Sequence, residues 1–387
     1  MRLPAILCAL CLAVALAGHA QRESSSASPT LRFLTVAQLE QVLTAAHGVR
    51  DKKLAERISQ MKLTERLSGW EEVHLAEELP GKKSRLALQA IADESAFLDP
   101  PSSEIPKLPT PSQASQASLI HQAEDYLQKT VPQLPNFLAK RRTIRFWGTS
   151  GPISWSERDG LFPQMVNSPA GQRLDSFETT VDTVGYSHGV EVFVDLKEAM
   201  KIECKPGELT GDDQFGEILN RVAYEMTHGH ILWSHWENGS AGPLAVFDYD
   251  AVFNYHWPRH CPNEMHYLPL DTDFRGEIAV DPTSGVILRL TELALRKART
   301  DNQHPPLLGE SETMVDYRSV EIGGKSYICP VRSAYIGLGP FHGIDENHPE
   351  SDRAQRDPEW AVPEGLNDIT FSDYRMFRST SRIIPLE

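Results

Sequence analysis

The sequence predicts an α+β fold, in which a small all-helical N-terminal domain precedes a curved, half-barrel-like antiparallel β-sheet with a packed helix. Three observations support this prediction. Apolar residues recur at helical spacing over 34–98, five prolines fall within 99–113, and apolar and polar residues alternate with period two through much of 115–387. The proline-rich stretch at 99–114 is therefore expected to link a helical domain to a β domain.

The first twenty residues have the pattern of a secretory signal peptide. Arg2 precedes an uncharged run from Leu3 to Gly18, and small residues precede an expected cut after Ala20. The run is shorter than the roughly 20 apolar residues that span a bilayer. We therefore predict a secreted or periplasmic protein with a disordered leader at 21–33 and no transmembrane segment in the mature chain.

Four helices are predicted within 34–98. A capping box joins Thr35 to Gln38 at the start of the first helix, which ends at Gly48. The other three are predicted from their apolar residues: from Asp51 with Leu54, Ala55, Ile58 and Met61; from a Thr64 cap with Leu67, Trp70 and Val73; and over 82–97 with Leu86, Ala90 and Phe97. They form either a structural appendage or a docking module.

The β domain is predicted to contain helices at 115–130 and 213–226 and a long loop at 340–366. Its strands alternate apolar and polar residues, and they are predicted at 143–147, 177–185, 190–195, 230–236, 244–256, 276–280, 286–290, 320–322, 325–329 and 371–384. Two turns are the clearest: Asp281–Gly285, where proline and glycine suit a hairpin loop, and Gly323-Gly324, where both residues can adopt positive φ.

Charge and cysteine content limit the function classes. The net charge is −15, or −16 once Arg2 is removed, and no basic cluster is longer than Lys140-Arg141-Arg142, so nucleic acid is not an expected partner. Phosphate-binding loops and nucleophile-elbow motifs are absent from the sequence, and no cofactor is expected. An oxidising compartment predicts one disulfide among Cys204, Cys261 and Cys329, with the pairing left open. Cys329 lies in an apolar strand and is interpreted as a core residue, whereas Pro330 indicates an edge strand or a bulge.

Two resemblances follow from these segments. Trp233–Glu237, Gly242–Phe247, Gly276–Pro282 and Val320–Lys325 resemble uncharacterised secreted proteins of acidobacterial type, a likeness that covers most of the mature chain and implies no known activity. The strand meander resembles, at the level of fold, the half-barrel of periplasmic lipoprotein carriers of the LolA/LolB class, which implies a concave apolar sheet face for acyl chains. Their binding residues carry no motif found in this sequence, and fold alone does not establish function.

Aromatic side chains are the candidate ligand-binding residues. Odd positions of the strand at 244–256 and its continuation share one face, and they carry Phe247, Tyr249, Phe253, Tyr255 and Trp257. This face is either the wall of an apolar groove or a sheet face packed under a helix.

Histidines clustered over 228–266 are weaker candidates for a metal site. Imidazole and thiolate groups bind zinc, and the candidates are His228, His230, His256, His260 and Cys261. Pro258 lies between two of these histidines, which disfavours a helix there. The chain has no His-Glu-x-x-His motif, so no metal is assigned.

Three functions remain open. The first is a non-enzymatic carrier of an apolar or lipid-like ligand on a concave sheet face, and the second is a structural or protein-interaction component of the cell envelope. The third is a metal-dependent hydrolase that uses the 228–266 cluster. A groove left uncovered by the 213–226 helix favours the first, a filled sheet face favours the second, and converging imidazoles favour the third.

Overall fold

The fold consists of an N-terminal helical layer and a large antiparallel sheet. A computed structural model describes residues 32–148, 174–187, 190–193, 217–228, 230–255, 270–298, 308–338 and 365–376. Within these ranges, none of the helices combines the length and the apolar character that crossing a bilayer requires.

Six α-helices and twelve strands are described. The helices are α1 (Val36–Ala45), α2 (Asp51–Ile58), α3 (Gly69–Glu78), α4 (Lys82–Glu94), α5 (Gln113–Thr130) and α6 (Glu217–His228), with 3-10 turns at Ser102–Glu104 and Val131–Gln133. The strands are β1 (Arg32–Leu34), β2 (Met61–Leu63), β3 (Phe137–Gly148), β4 (Leu174–Ser187), β5 (Val190–Phe193), β6 (Ile231–Gly239), β7 (Gly242–Tyr255), β8 (Leu270–Val280), β9 (Ile287–Ala298), β10 (Leu308–Ile322), β11 (Lys325–Leu338) and β12 (Gly365–Met376).

Ten strands form one sheet in the order β5-β4-β3-β12-β11-β10-β9-β8-β7-β6. Strands β6 to β12 form a continuous meander, and β12 then pairs antiparallel with β3. Among the described strands, β5 and β6 are the two edges, and the sheet is neither closed nor strongly curled. The predicted antiparallel meander is confirmed, but the sheet is flatter than a half-barrel.

Both predicted hairpin turns are confirmed. Gly285 has φ +74° and donates its backbone N–H to the carbonyl of Asp281, whose side chain also accepts from the backbone of Thr283. Gly323 and Gly324 have φ +61° and +81° between paired Ile322 and Lys325. Glycine supplies this left-handed geometry without a steric penalty, so the local sequence determines both turns.

The helical layer agrees with the prediction at its first helix. Thr35 and Gln38 form the capping box of α1, and Gly48 follows with φ +84°. A short parallel pair, β1 with β2, was not predicted, and residues 32–33 belong to it rather than to a disordered leader. Apolar side chains of all four helices and both strands share one core.

The third helix differs from the prediction in its start and its buried face. Helix α3 begins at Gly69 after Ser68, and Trp70 and Val73 are 58% and 61% exposed. Leu75 is its buried residue. It lies two positions after Val73, roughly 200° around an α-helix, so the side of α3 that packs is opposite to the predicted one.

Strands β9, β10 and β11 are eight to twelve residues longer at one end than predicted, reaching Ala298, Leu308 and Leu338. The hairpin predicted at 177–185 and 190–195 is confirmed by β4 pairing with β5. The last strand, predicted at 371–384, is β12 at Gly365–Met376, which also includes the end of the predicted 340–366 loop. Residues 213–216, 339–364 and 377–387 lie outside the described ranges.

The linker packs against the sheet. Glu104, in its 3-10 turn, is buried, and the indole of Trp236 on β6 donates to the carbonyl of Pro109 at 2.9 Å. Because these contacts tie the linker to an edge strand, it holds the helical layer close to the sheet.

Helices cover both faces of the sheet. Val315 of β10 belongs to the core cluster formed with α5 and α6, whereas its neighbour Met314 belongs to the cluster formed with α4. Successive residues of a strand point to opposite faces. We therefore call the side under α5 and α6 the α5/α6 face, and the side under α4 the α4 face.

Candidate functional site

A cleft of about 430 Å³ lies on the α4 face, where the residues that follow α4 meet strands β6 to β10. Its volume is in the range of small-molecule sites. The lining combines acidic side chains, apolar side chains and a guanidinium: Asp99, Asp248, Asp250, Glu277 and Glu312; Phe97, Leu98, Leu232 and Leu293; and Arg275. The cleft therefore offers both apolar contact area and a negative electrostatic potential.

The alternation of β7 determines which side chains reach the cleft. Asp248 and Asp250 are exposed in it, whereas Phe247 and Tyr249 are buried in the core with α5 and α6, and Tyr249 also borders the cleft. Two of the predicted groove-wall aromatics are thus core residues. Phe253 and Tyr255 lie in β7, but their side chains are outside the described part of the structure, as is the whole of Trp257.

The α5/α6 face is packed under its helices where its side chains are described. Between α5, α6 and the sheet there is a cavity of about 10 Å³, lined by residues that include Tyr126, Leu219 and Tyr317. This is about the smallest space that holds one water molecule. The arrangement matches the second of the two interpretations of the aromatic strand, a sheet face packed under helices.

A hydrogen-bonded ion pair joins α6 to strand β9 on the α5/α6 face. Arg221 donates to Glu292 of β9 at 2.6 and 3.1 Å, and its guanidinium carbon lies 4.7 Å from the centre of the Phe274 ring. The hydroxyl of Tyr249 donates to the same carboxylate at 3.3 Å. Burial, reinforced by the Glu292 charge, raises the pKa of Tyr249 well above its usual value, so this hydroxyl is a permanent donor.

A buried ion cluster lies beside the cleft on the α4 face. Glu237 of β6 accepts from Arg289 at 2.5 and 2.6 Å and pairs with Arg66 of the helical layer at 2.5 Å. Burial opposes ionisation of Glu237, but hydrogen bonds from Arg289 and the charges of both arginines outweigh it and hold its pKa far below the usual value. Burial raises the pKa of Glu277, against the positive charge of Arg289.

The histidines that are described take part in local contacts. The ring of His228 stacks on Tyr224 with centroids 3.8 Å apart, and Nδ1 of His230 lies 2.8 Å from a carboxylate oxygen of buried Glu225. In the ranges that the structure covers, no group of three or more His, Cys, Asp or Glu side chains is placed to hold a metal ion. His256, His260 and Cys261 lie outside those ranges, so the metal prediction stays a prediction.

Cys329 is a core thiol, as interpreted from the sequence. It is buried and forms no disulfide, and burial raises its pKa to about 12. Cys204 and Cys261 lie outside the described ranges, so the expected disulfide stays a prediction. Pro330 marks a bulge, because Tyr317 pairs with Pro330 while Asp316 pairs with Arg332, and β11 is an interior strand rather than an edge.

Sequence reasoning missed the acidic side of β7 although the signal was present. The order Phe247-Asp248-Tyr249-Asp250 alternates aromatic and acidic residues, and period two places the acids together on one face. The ion cluster had no comparable signal, because Arg66, Glu237 and Arg289 come from distant parts of the chain. The need for glycine at position 276 was not evident from the sequence either. In the structure, a Cβ there would meet the Thr291 carbonyl of β9 at 1.8 Å.

Comparisons with known proteins supply no functional assignment. No protein-family model, no curated protein and no solved structure matches this chain. The interpretation of the cleft depends on its own geometry and chemistry.

Proposed function

We propose that the protein is a secreted or periplasmic binding protein that takes an apolar or lipid-like ligand into the cleft on the α4 face. The observation that carries this proposal is the cleft itself, with its volume of about 430 Å³ and its mixed apolar and acidic lining. Concave sites of this size with a few convergent polar groups are typical of ligand binding. The predicted signal peptide supports a location outside the cytoplasm.

The apolar part of the lining favours a ligand with an alkyl or aromatic body. Leu232 is 68% exposed, and Leu98 and Phe97 on the opposite wall are also accessible. Covering such surfaces contributes roughly 0.8 kcal/mol per buried methylene. This agrees with the carrier function that the fold resemblance implies, but the proposed site lies between the residues that follow α4 and the sheet instead of on the concave face of a half-barrel.

The acidic part of the lining selects against anionic head groups. Asp248, Asp250 and Arg275 are exposed, so the acids outnumber the basic group at this rim. A like charge in a cleft with low-dielectric walls is repelled more strongly than on an open surface. The ligand is therefore a neutral or cationic amphiphile in preference to a fatty acid anion.

The binding test uses N-phenyl-1-naphthylamine, a neutral fluorophore whose emission rises in apolar sites. We expect saturable micromolar binding and displacement by dodecyltrimethylammonium at lower concentration than by dodecanoate. Leu232→Asp should weaken the affinity at least about tenfold. Val181→Asp is the matched control, because Val181 is an exposed apolar residue on a different strand, β4; this variant should not change the affinity. Equal binding by both variants, or no binding by the wild type, would contradict the proposal.

A protein-interaction role in the envelope is the second candidate, and the packed α5/α6 face favours it. Phe247 and Tyr249 contribute to the core there rather than to a groove. Native mass spectrometry of the protein isolated from its own envelope distinguishes the candidates, because a small ligand and a protein partner differ in added mass. The same measurement tests the hydrolase hypothesis, since one zinc ion lost in His256→Ala or His260→Ala would favour it.

A further inference from the structure

A second ion cluster joins the helical layer to the sheet around Arg332 of β11. Its guanidinium contacts Glu72 of α3 at 2.6 Å, Asp93 of α4 at 2.6 Å and Asp368 of β12 at 3.3 Å. Gln89 of α4 donates to the other oxygen of Asp368. One guanidinium is thus surrounded by three carboxyl groups from three different elements.

The charges of this cluster do not balance. Asp93 and Asp368 are both 0% exposed, and Oδ2 of Asp93 accepts no hydrogen bond from the part of the chain that the structure describes. Oδ1 of Asp368 lies near the Arg332 Nε but outside hydrogen-bond geometry. A buried carboxylate without compensating donors is strongly disfavoured relative to the neutral acid. A proton on one of the two aspartates halves the excess negative charge of one guanidinium and three carboxyl groups.

The electrostatics of the neighbouring elements agree with this argument. Burial raises the pKa of Asp93 well above its usual value, the Arg332 charge opposes the shift, and the charges of Asp368 and Glu72 add to it. Burial likewise raises the pKa of Asp368 to about 6, again against Arg332 and with a further opposing contribution from Arg142 of β3. Strand β10 places Asp316 beside Arg332 as its cross-strand partner.

We propose that Asp93 and Asp368 share one proton at the interface between α4 and the sheet, and that loss of this proton loosens the helical layer. A carboxyl group with a raised pKa binds its proton more tightly in the docked state than in the undocked state. Docking is therefore strongest in mild acid, and it weakens as the pH rises from about 4 through about 6. The effect does not depend on what the cleft binds.

The Glu237 cluster at the same interface makes the opposite contribution and serves as an internal comparison. Its carboxylate is compensated by two arginines, and its pKa is lowered. A carboxyl group of this kind stabilises docking above its usual pKa and loses this effect only in stronger acid. Burial also raises the pKa of Glu277 beside Arg289 and of Glu104 in the linker, so the variants of Asp93 and Asp368 are what separate the Arg332 cluster from these groups.

The test is hydrogen exchange of the full chain between pH 4.5 and 8, corrected for the intrinsic pH dependence of exchange. We expect amides of α3 and α4 to lose protection as the pH rises, while α5 and strands β7 to β9 do not. A pKa moved from 3.8 to about 6 corresponds to a total change on the order of 100-fold in the opening equilibrium, because each unit is tenfold, and roughly 30-fold of it falls between pH 4.5 and 8.

Variants identify the groups responsible. Asp368→Asn and Asp93→Asn mimic the neutral acid, so each should keep α3 and α4 protected at pH 8 and flatten the profile. Asp182 of β4 pairs with Arg141 of β3 elsewhere in the sheet. Asp182→Asn is therefore the matched control and should retain the wild-type profile.

Three outcomes would overturn the proposal. The first is a flat wild-type profile, which is decisive even if a variant fails to fold. The second is unchanged pH dependence in both asparagine variants. The third is recovery of protection at pH 8 on adding millimolar magnesium or calcium to the wild type, since a metal ion rather than a proton would then neutralise the cluster.

Discussion

The α5/α6 face and the α4 face belong to the same strands, yet their helices are held on by different chemistry. On the α5/α6 face, apolar side chains such as Phe247 and Ile278 interlock with those of α5 and α6. On the α4 face, a small apolar cluster is accompanied by the two ion clusters around Glu237 and Arg332. Because adjacent residues of one strand supply both faces, alternation separates a side with extensive apolar packing and one ion pair, Arg221 with Glu292, from a side with two larger ion clusters.

The difference indicates separate roles for the two faces. Apolar burial depends little on pH and tolerates small shifts in geometry. Buried ion pairs require matched partners, and losing one partner costs more than the pair contributes. The α5/α6 face is therefore expected to supply most of the stability, whereas the α4 face determines how the helical layer is positioned and carries the cleft.

The largest effect is expected for Glu237→Ala, which leaves Arg66 and Arg289 buried without their shared carboxylate. We expect a loss of about 3–5 kcal/mol in the free energy of unfolding, measured by denaturant titration. A triple variant, Arg66→Met, Glu237→Leu and Arg289→Met, is the control and should be far more stable than the single variant. A loss below about 1 kcal/mol would show that the cluster is not desolvated as described.

Phe247→Ala tests the apolar face. The side chain is completely buried, and its removal leaves a cavity under α5 and α6. We expect a loss of at least about 3 kcal/mol in the free energy of unfolding. Phe33→Ala makes the same substitution at an exposed phenylalanine and should cost less than about 0.5 kcal/mol. Similar losses in the two variants would contradict the assignment of Phe247 to the core.

Arg221→Met tests whether a polar contact adds to the apolar packing of α6. The variant keeps the length of the side chain but removes the two Arg221 donors to Glu292, which still accepts from Tyr249. We expect a loss of about 1–3 kcal/mol, seen as faster hydrogen exchange in α6. Arg318→Met, at an exposed position of β10, is the control. An unchanged exchange rate in α6 would show that apolar packing alone holds the helix.

The smallest effect is expected for Trp70→Ala on the outer side of α3. The indole is more than half exposed, so its truncation should change the free energy of unfolding by no more than about 0.5 kcal/mol. The matched comparison is Leu75→Ala on the buried side of the same helix, which should cost about 2–5 kcal/mol. A larger loss for Trp70→Ala than for Leu75→Ala would show that the side of α3 predicted from the sequence is the buried one.

The candidate site shows where sequence reasoning succeeds and where it stops. Period two predicted correctly that Phe247 and Tyr249 share a face, but it could not indicate whether that face is a groove or a core. The answer came from α5 and α6, which lie far from β7 in sequence. The predicted buried side of α3 was wrong for a similar reason. An apolar stripe in one helix does not reveal which side of that helix packs against the rest of the domain.

The sequence by itself determined the turns, the antiparallel meander and the capped first helix, because each depends on backbone preferences of neighbouring residues. Gly323-Gly324 and Thr35 with Gln38 are examples in which local stereochemistry has one favourable solution. Only the tertiary structure decided which face of the sheet is filled, where the cleft lies, and which arginine meets Glu237 or Asp93. Those contacts join residues distant in sequence, and their energies arise from burial and electrostatic pairing that exist only after the layers have packed together.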